Sequence, residues 1–211
     1  MNYNYVVIEG NIGAGKTSLV NKLAEEYNAK LILERFADNP FLPKFYENPE
    51  RYSFPLELSF LAERYNQLKN EIANRDLFKT FTIADYFFMK SLIFSKSTLS
   101  EDEYVLYRQI FDIVYNFLPK PDLLVYLHQD IDNLLVNIKK RGRDYEQAIT
   151  KEYLLKIQEG YFDFFKQQPD IKILIIDITN IDFVNNEKDY DLLNKNIFCK
   201  KIEYGITRVI L

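Results

Sequence analysis

Residues 6–20 read VVIEGNIGAGKTSLV: an apolar run, a glycine-rich turn, then apolar residues at helical spacing. Within this stretch Gly10 to Thr17 follow the pattern G-x-x-x-x-G-K-[ST]. A buried strand that feeds such a turn and leaves it as a helix constrains the chain more than any other feature, because it commits the fold to a strand–loop–helix start. The glycines let backbone N–H groups converge on phosphate oxygens, and the helix that follows adds the positive end of its dipole. Gly10, Asn11, Ile12, Gly13, Ala14, Gly15, Lys16 and Thr17 are therefore the candidate phosphate cradle. Lys16 would reach the β- and γ-phosphates of a nucleoside triphosphate, with ATP as the expected cofactor, and Thr17 would offer its hydroxyl to Mg²⁺. The bland alternative is a glycine turn that merely precedes a helix. The motif leaves open what receives the phosphoryl group.

The remainder alternates in the same way. Strands are expected at 5–9, 30–34, 81–85, 123–128 and 171–177, most of them dense in β-branched or other apolar residues without polar alternation. Helices are expected at 16–27, 54–73, 86–95, 101–117, 131–141 and 151–168, from apolar residues at helical spacing. This order predicts an α/β, three-layer P-loop fold: a five-stranded parallel sheet flanked by helices, as one domain over residues 1–211. Pro40, Pro43, Pro49 and Pro55 read as an ordered connection after the second strand. The tail at 197–211 ends in YGITRVIL, which suits a strand, a packed tail or an appended segment.

Composition narrows the partners. The net charge is −4 with no Lys/Arg-dense tract, which argues against a nucleic-acid polymer. One cysteine (Cys199) and one histidine (His128) leave no internal disulfide, multi-cysteine metal site or histidine-rich site. No apolar stretch approaches the ~20 residues of a membrane helix and no signal peptide precedes the first strand, so a cytoplasmic protein is expected. Tyr and Phe make up 16% of the chain; most such rings are expected in the core, with a few left to line a pocket for a flat base.

Two carboxylates and two arginines bear on the acceptor. Glu34 and Asp85 both fall at expected strand ends, the edge where open α/β sheets bind ligands. Glu34 could take a proton from an attacking hydroxyl, or be a solvated acid. Asp85 could hold Mg²⁺ or touch the acceptor, or cap a helix. Arg141 and Arg143, in the run KKRGRDYEQ, suit a short lid at about 139–150 that stabilises charge on a transferring phosphate; the alternative is a solvated basic helix end.

The stretches YENPERYSFPLELSFLAERYNQL, EYVLY and KKRGRDYEQAITKEYLLKIQEGYFDFF together resemble the deoxynucleoside kinase family, over roughly residues 4–183. The resemblance implies that Glu34 is the base that draws the proton from a nucleoside 5′-hydroxyl. It implies that Tyr46 and Glu146 contact the sugar 3′-hydroxyl, that Arg64 lines the base pocket, and that Arg141 and Arg143 embrace the phosphates, Arg141 also on the donor adenine. Asp182 and Phe183, in TNIDF, would belong to the loop that holds that adenine. A homodimer through the helices is implied as well.

Two departures from the family pattern stand out. Where the family reads the base with a glutamine, this chain has Glu57, which when ionised only accepts hydrogen bonds and would favour a base with N–H groups on its facing edge. Alternatively Glu57 pairs with Arg64 and leaves the base to others. The family's acid-arginine-hydroxyl triplet is here Asp85-Tyr86-Phe87, so the arginine is missing and Lys90 is a candidate replacement for its charge. A second register would put Lys79 at the acid and Asp85 on a later base-contacting aspartate. The expected activity is phosphoryl transfer from ATP to the 5′-hydroxyl of a deoxynucleoside, a purine one, for salvage. The rivals are a thymidylate-type nucleotide kinase, which needs arginines for its acceptor's phosphate, and a nucleotide switch without acceptor chemistry.

Overall fold

The computed structural model describes residues 3–34, 39–73 and 76–211. The chain runs through β1 (Tyr5–Gly10), α1 (Lys16–Glu26), β2 (Lys30–Ile32), α2 (Leu42–Glu47), α3 (Pro49–Ala73), β3 (Thr82–Ala84), α4 (Lys90–Thr98) and α5 (Glu101–Tyr115). It continues through β4 (Leu123–His128), α6 (Ile131–Arg141), a 3-10 turn at Asp144–Glu146, α7 (Lys151–Lys166), β5 (Lys172–Asp177), α8 (Glu187–Phe198) and β6 (Gly205–Ile210). The strands form one parallel sheet in the order β2-β3-β1-β4-β5-β6.

Strand β1 shows why the sequence folds this way. All six of its residues are buried, because helices cover both faces of the sheet. Alternate side chains go to opposite layers. Val6 and Ile8 pack with Leu19, Leu23, Leu134 and Leu193 from α1, α6 and α8. Tyr5 and Val7 pack with Tyr107, Phe111, Tyr161 and Phe165 from α5 and α7. Most of the buried aromatic residues fill this second layer, including the fully buried Tyr86, Phe88 and Tyr126.

The expected P-loop fold is correct in class and order, but the sheet has six strands rather than five. The tail residues 205–210 pair with β5 along its whole length, from Lys172 opposite Gly205 to Asp177 opposite Ile210. This strand alternates half-buried with exposed residues because only one neighbour and one layer cover it, so it lacks the doubly buried signature of the others. Deleting residues 203–211 should strip β5 of that partner. We expect the thermal midpoint to fall by roughly 4–12 °C, taking a net loss of about 2–3 kcal/mol and about 2–4 °C per kcal/mol. Calorimetry of the shortened chain checks this; an unchanged midpoint would make the strand dispensable.

Two further differences are local. Helix α4 begins at Lys90, not at residue 86: the Phe87 amide donates to the buried Glu9 carboxylate (2.7 Å), which keeps residues 86–88 non-helical while their rings enter the core. The proline-punctuated connection is largely helical, with Pro43 in the first turn of α2 and Pro49 opening α3.

Candidate active site

The chain leaves β1 toward β2 on one side of the sheet and leaves β3 toward β4 on the other. The crevice beyond the carboxyl ends of β1 and β3 is therefore the switch point where an α/β sheet opens to a ligand. The glycine loop follows β1, and Asp85 follows β3.

The loop has the shape its sequence requires. Gly13 and Gly15 have φ of 86° and 82°, and a Cβ on either would lie 2.8 Å from a neighbour: the Leu134 carbonyl for Gly13 and the Phe183 ring for Gly15. Only a bare backbone allows this turn and its approach to α6 and Phe183. Lys16 opens α1 and folds back over the loop, its Nζ donating to the carbonyls of Gly10 (2.8 Å) and Asn11 (3.0 Å). Burial, together with the nearby Lys90 ammonium, lowers the Lys16 ammonium to about 8. Such an ammonium gains from any anion that enters the loop.

Asp85 joins three elements. Its Oδ2 accepts from the Thr17 hydroxyl (2.6 Å) and its Oδ1 from the Glu34 backbone amide (2.7 Å), so it ties the start of α1 to the end of β2. No helix begins at Asp85, so the helix-cap alternative fails. Lys79, from the second register, donates to Asn28 Oδ1 and precedes β3, at the opposite edge of the sheet. The Thr17 hydroxyl and the Asp85 carboxylate are paired hard oxygen donors beside the phosphate loop, a donor set that suits Mg²⁺.

Glu34 is nearly buried and sits between two cations. Arg64 donates from Nε (2.9 Å) and Nη2 (2.6 Å) to its Oε1, and Lys90 donates to its Oε2 (2.6 Å). Burial alone would push the Glu34 carboxyl up, but Lys90 and Arg64 override it and hold it down to about 2. Arg64 also donates from Nη1 to the Ser91 hydroxyl (2.8 Å) and lies over the Phe60 ring. Its bonds therefore go to Glu34 and Ser91 rather than to Glu57.

Glu57, seven residues before Arg64 on α3, lines the same pocket. It is 2% exposed, and its Oε1 accepts from the Thr98 hydroxyl (2.9 Å). Phe45, Leu56, Phe60 and Phe94 supply an apolar wall beside it. Tyr46 on α2 enters the pocket and stacks against Tyr145, ring centroids 6.0 Å apart. The buried Glu146 accepts from Arg141 and, at 3.2 Å, from Arg143, which gathers the lid arginines at the pocket mouth.

Asp182 and Phe183 stand apart from this pocket. They border a second cavity beyond Ala14 and Gly15, which Gln129, Asn137 and Lys140 also line. Lys22 of α1 donates to the carbonyls of Phe183 (3.1 Å) and Val184 (3.0 Å) and so fixes that loop against the P-loop helix. Sequence reasoning missed Glu9, Ser91 and Thr98. Glu9 is wholly buried and accepts from Gly10, Phe87 and the Tyr161 hydroxyl; a carboxylate inside an otherwise apolar strand was the available signal. Nothing local marks Ser91 or Thr98.

This geometry puts a phosphate loop, a carboxylate between cations and a half-apolar pocket around one crevice. A sequence model of the family described as deoxynucleoside kinase matches residues 6–202. The chain belongs to the deoxynucleoside kinase family. Among family members it is 36% identical to the deoxyguanosine kinase of Bacillus subtilis (strain 168), over 92% of this chain and 95% of that one. It is 33% identical to the deoxyadenosine kinase of Lactobacillus acidophilus, over 95% of this chain and 97% of that one. Its fold matches a structure of deoxyadenosine kinase from M. mycoides with dCMP and a flexible dCDP bound, with a TM-score of 0.80 and 23% identity over 93% of this chain and all of the other. A structure of the same enzyme with dATP bound matches with a TM-score of 0.78 and 22% identity, over 92% of this chain and 98% of that one. No helix among the described residues is long and apolar enough to cross a membrane.

Proposed function

We propose that this deoxynucleoside kinase is a cytoplasmic salvage enzyme that transfers the γ-phosphate of ATP to the 5′-hydroxyl of a purine deoxynucleoside. The observation that carries the reading is the continuous link from Thr17 through Asp85 to Glu34, which holds a carboxylate at a fixed place beside the phosphate loop. The loop amides and Lys16 bind the donor phosphates, and Thr17 and Asp85 hold Mg²⁺. The bound Mg²⁺ would neutralise charge on the phosphate oxygens.

In the reaction the nucleoside O5′ forms a bond to the γ-phosphorus, the bond from that phosphorus to the bridging oxygen of ADP breaks, and the hydroxyl proton passes to a Glu34 oxygen. A carboxylate held at about 2 is a weak base. That is enough where the transition state is loose and the hydroxyl needs orientation more than early deprotonation. Arg141 and Arg143 stabilise the transferring phosphoryl group when the lid closes, and closure keeps water from taking the nucleophile's place. Tyr46 and Glu146 position the sugar. Asp182 and Phe183 hold the donor adenine in the neighbouring cavity.

The purine preference rests on Glu57, whose acceptor oxygens suit an edge bearing N–H groups. A homodimer would cover the exposed apolar side chains of α5, among them Val105, Leu106 and Ile113. The deciding experiment supplies γ-labelled ATP with each of the four deoxynucleosides, with thymidylate, or with no acceptor. Transfer to deoxyadenosine or deoxyguanosine is expected. Transfer to thymidylate alone, or ATP loss without an acceptor, would refute the reading.

A further inference from the structure

Among the described acids that line the nucleoside pocket, Glu57 is the one with a buried carboxylate oxygen left without a partner. Its Oε1 accepts from the Thr98 hydroxyl, while its Oε2 is buried and has no hydrogen-bond partner among the described residues. An acid placed in this way presents two different faces. Ionised, it offers acceptors only. Neutral, with the proton on the unpartnered Oε2, it offers a donor at Oε2 beside an acceptor at Oε1.

The two purines complement these two faces. Guanine presents adjacent donors, N1–H and the N2 amino group, with the acceptor O6 on the other side of N1–H. Adenine presents an acceptor, N1, beside a donor, the N6 amino group. An ionised Glu57 meets both guanine donors but would bring an acceptor against adenine N1, whereas a neutral Glu57 matches adenine at N1 and N6 and can also meet guanine at O6 and N1–H. The mismatch of the carboxylate with adenine leaves buried acceptors facing each other, which a desolvated site penalises heavily.

We propose that Glu57 selects between purine deoxynucleosides through its own protonation state: its carboxylate takes deoxyguanosine and excludes deoxyadenosine, and its neutral acid admits deoxyadenosine. The inference rests on the assignment of this pocket to the nucleoside base.

The surroundings allow both states near neutrality. Burial pushes the Glu57 carboxyl up to about 7, and the Glu34 carboxylate pushes the same way, against the pull of Arg64 on α3, Thr98 on α4 and Lys90 on α4. The Tyr46, Tyr107 and Tyr153 hydroxyls, from α2, α5 and α7, also feel its charge. From the lid, Arg141, Arg143 and Glu146 line the same pocket, with Glu146 bonded to both arginines. Thr98 serves either state without moving, since its hydroxyl also lies 3.0 Å from the Phe94 carbonyl.

The test is the ratio of kcat/KM for deoxyguanosine to that for deoxyadenosine, followed from about pH 5.5 to 8.5. Ionisation of Glu57 should raise that ratio by about tenfold or more across the range. Groups common to both reactions cancel in the ratio, and neither base titrates there. Glu57→Gln presents one donor and one acceptor at every pH, so its ratio should be flat and displaced toward deoxyadenosine. Calorimetry of the unaltered enzyme near pH 7, in buffers of different ionisation enthalpy, gives an independent sign: proton uptake with deoxyadenosine, and no uptake with deoxyguanosine. A flat ratio in the unaltered enzyme, a pH-dependent ratio that survives Glu57→Gln, or equal proton linkage for the two nucleosides overturns the inference alone. Absence of transfer to either purine at every pH overturns the proposed function, and the inference with it.

Discussion

Glu34→Gln is expected to lower kcat by about a hundred- to ten-thousand-fold, the usual range for loss of a positioned general base. The amide keeps the shape of the carboxylate and can still accept from Arg64, but it cannot take the hydroxyl proton. It also leaves Arg64 and Lys90, both buried, without their shared counter-charge. Losing one partner of a buried ion pair commonly costs about 3–5 kcal/mol, so the thermal midpoint should fall as well. Single-turnover measurements at saturating ATP separate the effects: the chemical step collapses while calorimetric titration still shows nucleoside binding to the folded variant. Turnover within a few-fold of the unaltered enzyme would place the base elsewhere.

Lys90→Met should be the next most damaging change. Lys90 stands beside the carboxylate where the family's usual arginine is absent, and its ammonium reaches Glu34 at 2.6 Å. Methionine keeps much of the aliphatic bulk and removes the charge. A fall in kcat of about a hundredfold is expected, comparable to the loss of one electrostatic stabiliser in a desolvated site. The pH profile carries a signature that a packing defect would not produce. Without the neighbouring cation the ionised form of Glu34 is less favoured, so its carboxyl titrates at higher pH. The acid limb of kcat/KM must then move upward in pH. Lys90→Arg should restore part of the rate and return the limb. An unmoved acid limb in Lys90→Met would mean that Lys90 serves packing only.

The cost of this arrangement in the resting protein is visible in Lys16. The Lys16 and Lys90 ammonium groups act on one another amid the charges of Glu9, Glu34 and Asp85, and Lys90 helps to lower the Lys16 ammonium to about 8. A polyphosphate entering the loop relieves that repulsion, which ties nucleotide binding to the charges around the acceptor.

Much of this was legible in the residues. The doubly buried strands announced themselves as unbroken apolar runs, and helix α6 was found at both ends because Asp130 and Gly142 bracket a regular apolar stripe. The strand at 205–210 was not, because a one-sided edge strand mixes exposed and half-buried residues and reads equally as a tail. The helix at Leu42–Glu47 was hidden among prolines that serve as helix starts and also as loop punctuation. Helix α8 was overlooked although it packs Leu193 and Ile197 into the core. The start of α4 was misplaced because a buried carboxylate 78 positions away claims the Phe87 amide.

The glycine loop was written in the residues alone, since only glycine at positions 13 and 15 permits the turn and its close contacts, and so was the parallel sheet, through the strength of its apolar runs. The electrostatics around Glu34 came from folding. Glu34, Arg64 and Lys90 lie 30 and 56 positions apart in the chain, so no local pattern could reveal that two cations share one carboxylate. In the same way only folding decided that Thr98, on α4, would hold one oxygen of Glu57 and leave the other unpartnered. The strength of a charge depends on burial and on the distance to its neighbours, and both are properties of the folded chain.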